Sequence, residues 1–157
     1  MNLLDDFSFR EKSLLISLLA VLFAYGGYFA RMLGGDVEPT LSGMLVASIG
    51  VIIVLVLVQI GLHTVLAIID KDEAMAQADE RDLLVASRAA RFSHLVLSCA
   101  VAVVIGRILI YGAIDESAQV VEVSLYEVAN LLLFAVVVSE VVNYATQLYF
   151  YRRGIQG

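Results

Sequence analysis

The stretch Val51-Ile-Ile-Val-Leu-Val-Leu-Val58 decides the fold class, because every side chain in it is apolar. It lies within a longer apolar run from about Leu41 to Ile69. A strand of a membrane-spanning barrel would alternate apolar and polar residues over about ten positions, and this stretch does not. A helix satisfies its backbone hydrogen bonds internally, so it can lie in hydrocarbon. The run therefore predicts a transmembrane α-helix.

Three further apolar runs cover about Ser13–Leu33, Phe92–Tyr111 and Leu125–Phe150. Each is long enough for a helix that crosses a hydrocarbon core, which needs about 20 residues. The chain has 157 residues, 61% of them hydrophobic, and no polar segment between the runs is long enough to bury its own core. The sequence predicts one all-α domain, residues 1–157, whose four transmembrane helices form a bundle in the lipid bilayer.

The Lys and Arg residues predict the orientation, because they are enriched in the cytoplasmic segments of membrane proteins. Most of them precede the first span, separate the second from the third, or follow the fourth: Arg10, Lys12, Lys71, Arg81, Arg88, Arg91, Arg152 and Arg153. Only Arg31 and Arg107 lie near the opposite side. We therefore expect both termini in the cytoplasm. The net charge of −6 is spread over both sides and does not suggest a nucleic-acid surface.

Short polar motifs predict where the helices begin and end. Ser8-Phe-Arg-Glu11 and Ser124-Leu-Tyr-Glu127 fit the capping box, in which a hydroxyl and a carboxylate bind each other's backbone amides. Gly34-Gly35 is typical of a helix end, and Pro39 suits the first turn of the second helix. These motifs place the first, second and fourth helices close to the apolar runs.

A charged segment precedes the third span. No Gly or Pro occurs from Leu62 to Ile105, so we expect a turn within Lys71–Ala78 and then a cytoplasmic helical extension over about Asp79–Arg91. In one interpretation its acids favour the helix start and its arginines anchor near lipid headgroups. In the other it is a docking surface for a cytoplasmic regulatory protein, formed by Asp79, Glu80, Arg81, Asp82, Arg88 and Arg91.

The same segment carries a resemblance. Asp79-Glu80-Arg81-Asp82, then Leu83-Leu84 and Ser87-Arg88-Ala89-Ala90-Arg91 before an apolar span, resembles a group of small bacterial and archaeal four-span membrane proteins of unknown function. The arrangement of the spans as helical hairpins in this chain is also similar to that group over most of the chain. The resemblance implies a multi-pass protein of the bacterial or archaeal cytoplasmic (inner) membrane and supplies no catalytic residues. Such proteins are sometimes suspected of pairing with small regulators.

Polar side chains inside the spans are the candidate site residues, because an ionisable group in lipid needs a partner or water. The predicted cluster comprises Gln59, His63, Ser98, Glu140, Asn143 and Gln147. At helical spacing, the members on span two form one stripe and those on span four form another. We expect the stripes to face each other, with Glu140 sharing a proton with His63 or accepting hydrogen bonds from the amides. The cluster is either a set of interhelical polar contacts or a proton or cation pathway through Glu140.

Two further pairs of polar residues are candidates for contacts between helices. Arg107 and Glu127 lie at comparable depths near the outward side, so we expect an ion pair between spans three and four. His63 and His94 lie near the cytoplasmic ends of their spans, and axial histidines on facing helices can hold a b-type haem. A metal site at His63 and Glu140 would have two ligands, which do not define one. We expect no cofactor or metal.

Small residues predict self-association. Gly43, Ala47, Gly50 and Gly61 fall in one narrow sector of span two, almost opposite Gln59. Small residues allow close approach of helices in lipid, so the second helix has two sides that favour protein neighbours. A homo-oligomer, with a dimer favoured, is the expectation.

The sequence contains no nucleophile and base, phosphate loop or metal motif, so we do not expect an enzyme. The first functional prediction is an inner-membrane protein that acts by assembly or partner binding. The alternative is a small proton- or cation-coupled transporter or channel that uses Glu140. A haem electron carrier is the third.

Overall fold

The structure is a computed structural model, and it describes residues 7–69, 71, 75, 79–115 and 124–153. These form helices α1 (Phe9–Gly34), α2 (Leu41–Ile69), α3 (Glu80–Asp115) and α4 (Leu125–Arg153). All four are long and apolar enough to cross a membrane. The prediction of an all-α chain with four candidate membrane spans is confirmed.

The two ends of α1 follow from local sequence. The Ser8 hydroxyl accepts from the Glu11 amide at 3.3 Å, and the Glu11 carboxylate accepts from the Ser8 amide at 3.0 Å. The predicted capping box is therefore confirmed. At the other end Gly35 has φ 80°, a left-handed conformation that glycine adopts without steric cost, and its amide donates to the last carbonyls of the helix. Gly35 thus ends α1 where the glycine pair predicted.

Helix α2 begins at Leu41, directly after Thr40, whose hydroxyl accepts from the Gly43 amide at 3.1 Å. Pro39 precedes the helix, so its predicted place in the first turn is wrong. The reason is that Thr40 provides the side-chain cap, and an N-cap hydroxyl fixes the first helical residue one position later. Gly43 approaches the preceding loop closely, because a Cβ added there would lie 2.6 Å from the Glu38 carbonyl oxygen.

Helix α3 is continuous from Glu80, so the charged segment and the third apolar run belong to one helix. Asp79 and Asp82 cap its start reciprocally: the Asp82 amide donates to Asp79 at 2.7 Å, and the Asp79 amide donates to Asp82 at 2.9 Å. Helix α4 begins immediately after Ser124. Most of the turn predicted at residues 71–78 lies outside the described residues.

The main helix contacts are those of α2 with α1, of α1 with α4 and of α4 with α3, and α2 also makes a smaller contact with α4. Apart from Tyr28, the most buried apolar side chains are small or medium in size and include Ala20, Val21, Val85, Ala89 and Ala135. Leu66 is the one residue of α2 that is buried. Most large apolar side chains of α2 and α3 are exposed, which is the surface that a lipid-facing helix presents. The enclosed bundle and the inward termini remain predictions.

Candidate functional site

Glu140 lies near the middle of α4, and its side chain is exposed on the surface of the chain. Leu132 and Val136, on the same side of the helix, are 38% and 47% exposed. Among the described residues, none forms a hydrogen bond or ion pair with Glu140. An ionisable group at mid-helix on an apolar surface is unusual, because hydrocarbon offers it no hydrogen bonds. Glu140 is therefore an ionisable residue at mid-helix for which the described residues provide no hydrogen bond or ion pair, although its charge acts on Tyr144 one turn further along α4.

Asn143 and Gln147 lie beside Glu140, one turn and two turns further along α4. The Gln147 side-chain amide donates to the Asn143 oxygen at 3.2 Å, as residues four apart on a helix can. This contact uses one hydrogen-bonding atom of each amide. The span-four part of the predicted cluster is thus a polar stripe on one helix.

His63 belongs to a different contact from the one expected. Its Nδ1 lies 3.3 Å from the Ser13 hydroxyl and its Nε2 lies 3.1 Å from the Ser17 hydroxyl, both on α1. Because α2 packs mainly on α1, His63 faces α1 and does not meet Glu140. The expected hydrogen bond or shared proton between them is therefore wrong. Gln59 is half-buried on the same side of α2, and Ser98 is exposed on α3.

The histidines do not form a pair across helices. His94 is exposed on α3, and both ring nitrogens of His63 are within hydrogen-bonding distance of serines. Within the described part of the chain, no three His, Cys, Asp or Glu side chains are grouped as a metal ion would require. The structure thus offers no facing histidines for a haem.

A half-buried carboxylate joins three helix ends. Asp82 at the start of α3 pairs with the Arg10 guanidinium of α1 at 3.0 Å and accepts from the Tyr151 hydroxyl of α4 at 2.6 Å. Its side chain is 13% exposed. The Arg81 guanidinium also donates to the Tyr151 carbonyl oxygen at 3.2 Å. These contacts hold the start of α3 against the end of α4 and the start of α1.

A second carboxylate reinforces this region. Glu11, which caps α1, pairs with Arg152 at 3.1 Å, and the Arg152 guanidinium lies 3.8 Å from the centre of the Phe7 ring. We call the set of Arg10, Glu11, Asp82, Tyr151 and Arg152 the helix-end cluster. Sequence reasoning used Arg10 and Arg152 only for orientation and missed the cluster. The signal was present, since opposite charges stood at three helix ends predicted to lie on one side.

The electrostatics of the helix-end cluster favour a charged Asp82. Burial raises the pKa of this carboxyl, but the Tyr151 hydroxyl, the Asp79 amide and the Arg10 charge together lower the pKa below its ordinary value. Burial and the hydrogen bond to Asp82 raise the pKa of Tyr151 to about 12. Both groups lie outside the predicted spans 92–111 and 125–150. Tyr151 therefore stays a donor while Asp82 stays an acceptor at neutral pH.

This cluster changes the interpretation of the predicted docking residues. Asp79 caps α3, Arg81 and Asp82 contact the end of α4 or the start of α1, and Arg88 is half-buried. Arg81 is exposed, but its guanidinium already contacts its own chain at the end of α4. Glu80 and Arg91 are exposed. Much of this charged segment serves packing between helices.

At the opposite end of α3, the structure brings Arg107 and Glu127 together with an N–O distance of 3.1 Å. Both side chains are substantially exposed, at 44% and 56%. Arg107 also lies over the Tyr111 ring, with its guanidinium carbon 5.4 Å from the ring centre. Such an exposed ion pair contributes about 0–1 kcal/mol to the free energy of unfolding. Its main effect is therefore on the relative positions of α3 and α4 along their axes.

A buried hydrogen bond links α1 and α4. Tyr28 is 3% exposed, and its hydroxyl donates to the Asn130 side-chain oxygen at 3.1 Å. The Asn130 amide nitrogen in turn donates to the Tyr126 carbonyl oxygen at 3.0 Å. Sequence reasoning did not select Asn130, although an amide side chain in an apolar run was a usable signal.

The small residues of α2 do not make close helix contacts within this chain. Gly43 approaches its own loop, Ala47 is half-buried, and a Cβ added at Gly50 or Gly61 would meet nothing within 4 Å. Together with glycines of α1, the first three line an open cleft of about 1110 Å³ between α1 and α2. Their use in association with another protein stays a prediction.

Comparison with protein-family models, with curated proteins and with solved structures found no match to this chain. The resemblance at Asp79–Arg91 stays an interpretation. The functional argument therefore depends on the geometry alone.

Proposed function

We propose that this chain is a multi-pass protein of a bacterial or archaeal cytoplasmic membrane that acts by assembling with protein partners, without catalytic chemistry. The observation that carries the proposal is the exposed Glu140 at the middle of α4. An acidic residue at a helix centre costs about 2.5–3.5 kcal/mol when the helix is inserted alone. A protein partner that covers this surface would provide hydrogen bonds that lipid cannot.

The helix-end cluster supports a particular orientation for this protein. It collects Arg10 and Arg152, with Arg81 beside them, at one end of the molecule. Arginines at the ends of spans favour the cytoplasmic side. The start of α1 and the end of α4 both lie at this arginine-rich end, so both termini would be cytoplasmic.

The proposal predicts that the protein is not a free monomer in a bilayer. In nanodiscs or in native membranes, cross-linking followed by mass measurement should give species well above the 17.1 kDa of one chain. Cross-linking at several lipid-to-protein ratios distinguishes a specific assembly, which persists on dilution in lipid, from chance contacts between crowded copies. Monomers at every ratio, with no protein retained through purification, would contradict the proposal.

Proton or cation transport is the second candidate, because an ionisable group without an ion-pair partner at mid-helix is also what an ion pathway requires. In proteoliposomes, Glu140→Gln should then eliminate flux driven by a pH gradient and preserve assembly, since the amide still forms hydrogen bonds. Glu38→Gln is the matched control, because Glu38 is an exposed acid in the connection between α1 and α2. Absence of flux in the wild type, or equal flux in Glu140→Gln, would exclude this candidate.

A further inference from the structure

The open cleft between α1 and α2 lies beside the connection that joins the two helices. Its wall from α1 includes Phe23, Gly26 and Gly27, and its wall from α2 includes Gly50 and Val54. A Cβ added at Gly26, Gly27 or Gly50 would meet nothing within 4 Å, so these glycines keep the space between the helices open. The cleft is therefore an apolar groove that the lining side chains leave unfilled.

The length of the cleft corresponds to one leaflet of a bilayer. Its lining on α2 runs from Ser42, at the start of the helix, to Val54, and this rise is about 18 Å at 1.5 Å per residue. Half of a hydrocarbon core of about 30 Å is about 15 Å. In a bilayer the cleft would therefore reach from the ends of the helices to about the membrane centre, which is the depth of one layer of lipid chains.

Three charged side chains line the mouth of the cleft: Arg31 near the end of α1, and Asp36 and Glu38 in the connection to α2. All three are exposed, and no ion pair among the described residues includes any of them. The Asp36 amide donates to the Arg31 carbonyl oxygen at 3.0 Å. Val37, between the two acids, is buried, so the connection is held against the helices. The mouth thus presents one cation and two carboxylates above an apolar groove.

We propose that this cleft binds one phospholipid of the bilayer whose headgroup is zwitterionic with a primary ammonium, as in phosphatidylethanolamine. The Arg31 guanidinium would donate to the phosphate, because contacts of arginine with phosphate are charge-assisted and can be bidentate. The Asp36 and Glu38 carboxylates would accept from the ammonium. An acyl chain would lie along the glycines. The inference goes beyond the proposed function, because it requires the bilayer and no protein partner.

The charges at the mouth favour this headgroup over those of other phospholipids. An anionic headgroup has no ammonium, so its phosphate would lie beside two carboxylates without a compensating cation. A trimethylammonium headgroup has the positive charge but no N–H that a carboxylate could accept from. The order of binding should therefore be phosphatidylethanolamine first, then phosphatidylcholine and phosphatidylglycerol.

A helix of a second copy is the competing occupant, because small residues also allow helices to pack closely in lipid. Such packing requires the two backbones to approach each other at the glycines. Phe23 lines the cleft and is 84% exposed, so a large side chain projects where the second helix would lie. A flexible acyl chain can pass beside this ring, which favours the lipid.

Native mass spectrometry of the detergent-purified protein measures the headgroup preference. The probes are phosphatidylethanolamine, phosphatidylcholine and phosphatidylglycerol with identical acyl chains, in equal amounts. The complex with one phosphatidylethanolamine should exceed each of the other complexes about threefold or more. Arg31→Gln should lower it about 3- to 10-fold, as expected for the loss of one hydrogen-bonded contact. Arg107→Gln is the matched control, since Arg107 lies near the same side and does not line the cleft.

Replacement of both acids tests the selection of the ammonium. In the double variant Asp36→Asn, Glu38→Gln, binding of phosphatidylethanolamine should fall to that of phosphatidylcholine within about twofold, because neither amide attracts a cation. Glu127→Gln is the control, because Glu127 is an exposed acid near the same side of the membrane and does not line the cleft. It should leave the preference unchanged.

Added bulk in the cleft tests where the lipid binds. Gly50→Leu places a side chain in the groove and should lower binding of phosphatidylethanolamine at least as much as Arg31→Gln does. Gly61→Leu adds the same side chain at an exposed glycine of α2 that does not line the cleft, and a Cβ there also meets nothing within 4 Å. It should leave lipid binding unchanged.

Three results would overturn the inference. Equal binding of the three phospholipids, or a preference that persists in the Arg31 and double acid variants, would contradict the role of the charged mouth. Binding that Gly50→Leu does not lower would place the lipid elsewhere on the chain. If Gly50→Leu instead dissociates an oligomer and leaves lipid binding unchanged, a second copy occupies the cleft. The first two results do not depend on whether the chain assembles with protein partners, which cross-linking in membranes measures separately.

Discussion

At the scale of single residues, Asp82 takes part in three contacts at once. Its carboxylate pairs with Arg10, accepts from Tyr151 and caps its own helix through the Asp79 amide. A half-buried carboxylate with all three contacts is stabilised in its charged form, whereas removal of the charge leaves the arginine and the hydroxyl with weaker partners.

Asp82→Asn should lower the free energy of unfolding in detergent by about 1.5–3 kcal/mol, which is the range for hydrogen bonds to charged groups. Glu80→Gln is the control, because Glu80 is an exposed acid two residues earlier in the same helix, and a surface change of this kind is worth about 0.5 kcal/mol or less. Thermal unfolding followed by circular dichroism measures both. Equal effects of the two variants would contradict the role given to Asp82.

The same residue predicts a pH dependence. Because the folded state lowers the pKa of Asp82, its contribution is fully present above the ordinary carboxyl pKa of about 4 and is lost as the pH falls through the lower folded value. The stability difference between wild type and Asp82→Asn should therefore be largest near neutral pH and shrink below about pH 4. A difference that stays constant down to pH 3 would contradict the lowered pKa.

At the scale of helices, α2 has two kinds of glycine. Gly43 approaches the Glu38 carbonyl so closely that a Cβ would lie 2.6 Å from the oxygen, whereas a Cβ at Gly50 would meet open space. Where nothing crowds the position, as at Gly50, glycine is less favourable in a helix than alanine. The two positions therefore respond oppositely to the same substitution.

Gly43→Ala should destabilise the start of α2 and its loop by about 1–3 kcal/mol, in the range for overpacking. Gly50→Ala should be neutral or stabilising by up to about 1 kcal/mol, through helix propensity. Thermal unfolding of the two variants in one detergent provides the comparison. A loss of stability in Gly50→Ala would instead indicate that another copy packs against this position, and a neutral Gly43→Ala would contradict the close approach to the loop.

At the scale of the whole molecule, the sequence predicted the helices well and their neighbours poorly. Long apolar runs fix where helices can lie in hydrocarbon, and caps such as Ser8 and Gly35 fix their ends, so both are local properties. Which helix His63 faces depends on how α1, α2 and α4 are arranged, and polar spacing on a single helix contains no such information. The sequence did predict the Arg107–Glu127 contact, because the two residues lie at comparable depths in neighbouring spans and no knowledge of the helix arrangement was needed.

The helix-end cluster has a consequence for biogenesis. Arg10 and Glu11 leave the ribosome on the order of ten seconds before Tyr151 and Arg152 at ordinary elongation rates. Until then Glu11 lacks its arginine and Asp82 lacks its hydroxyl. A nascent chain that stops before α4 therefore has Asp82 paired with Arg10 but lacks both the Glu11–Arg152 ion pair and the Tyr151 hydrogen bond, so the helix-end cluster is complete only after α4 has been made.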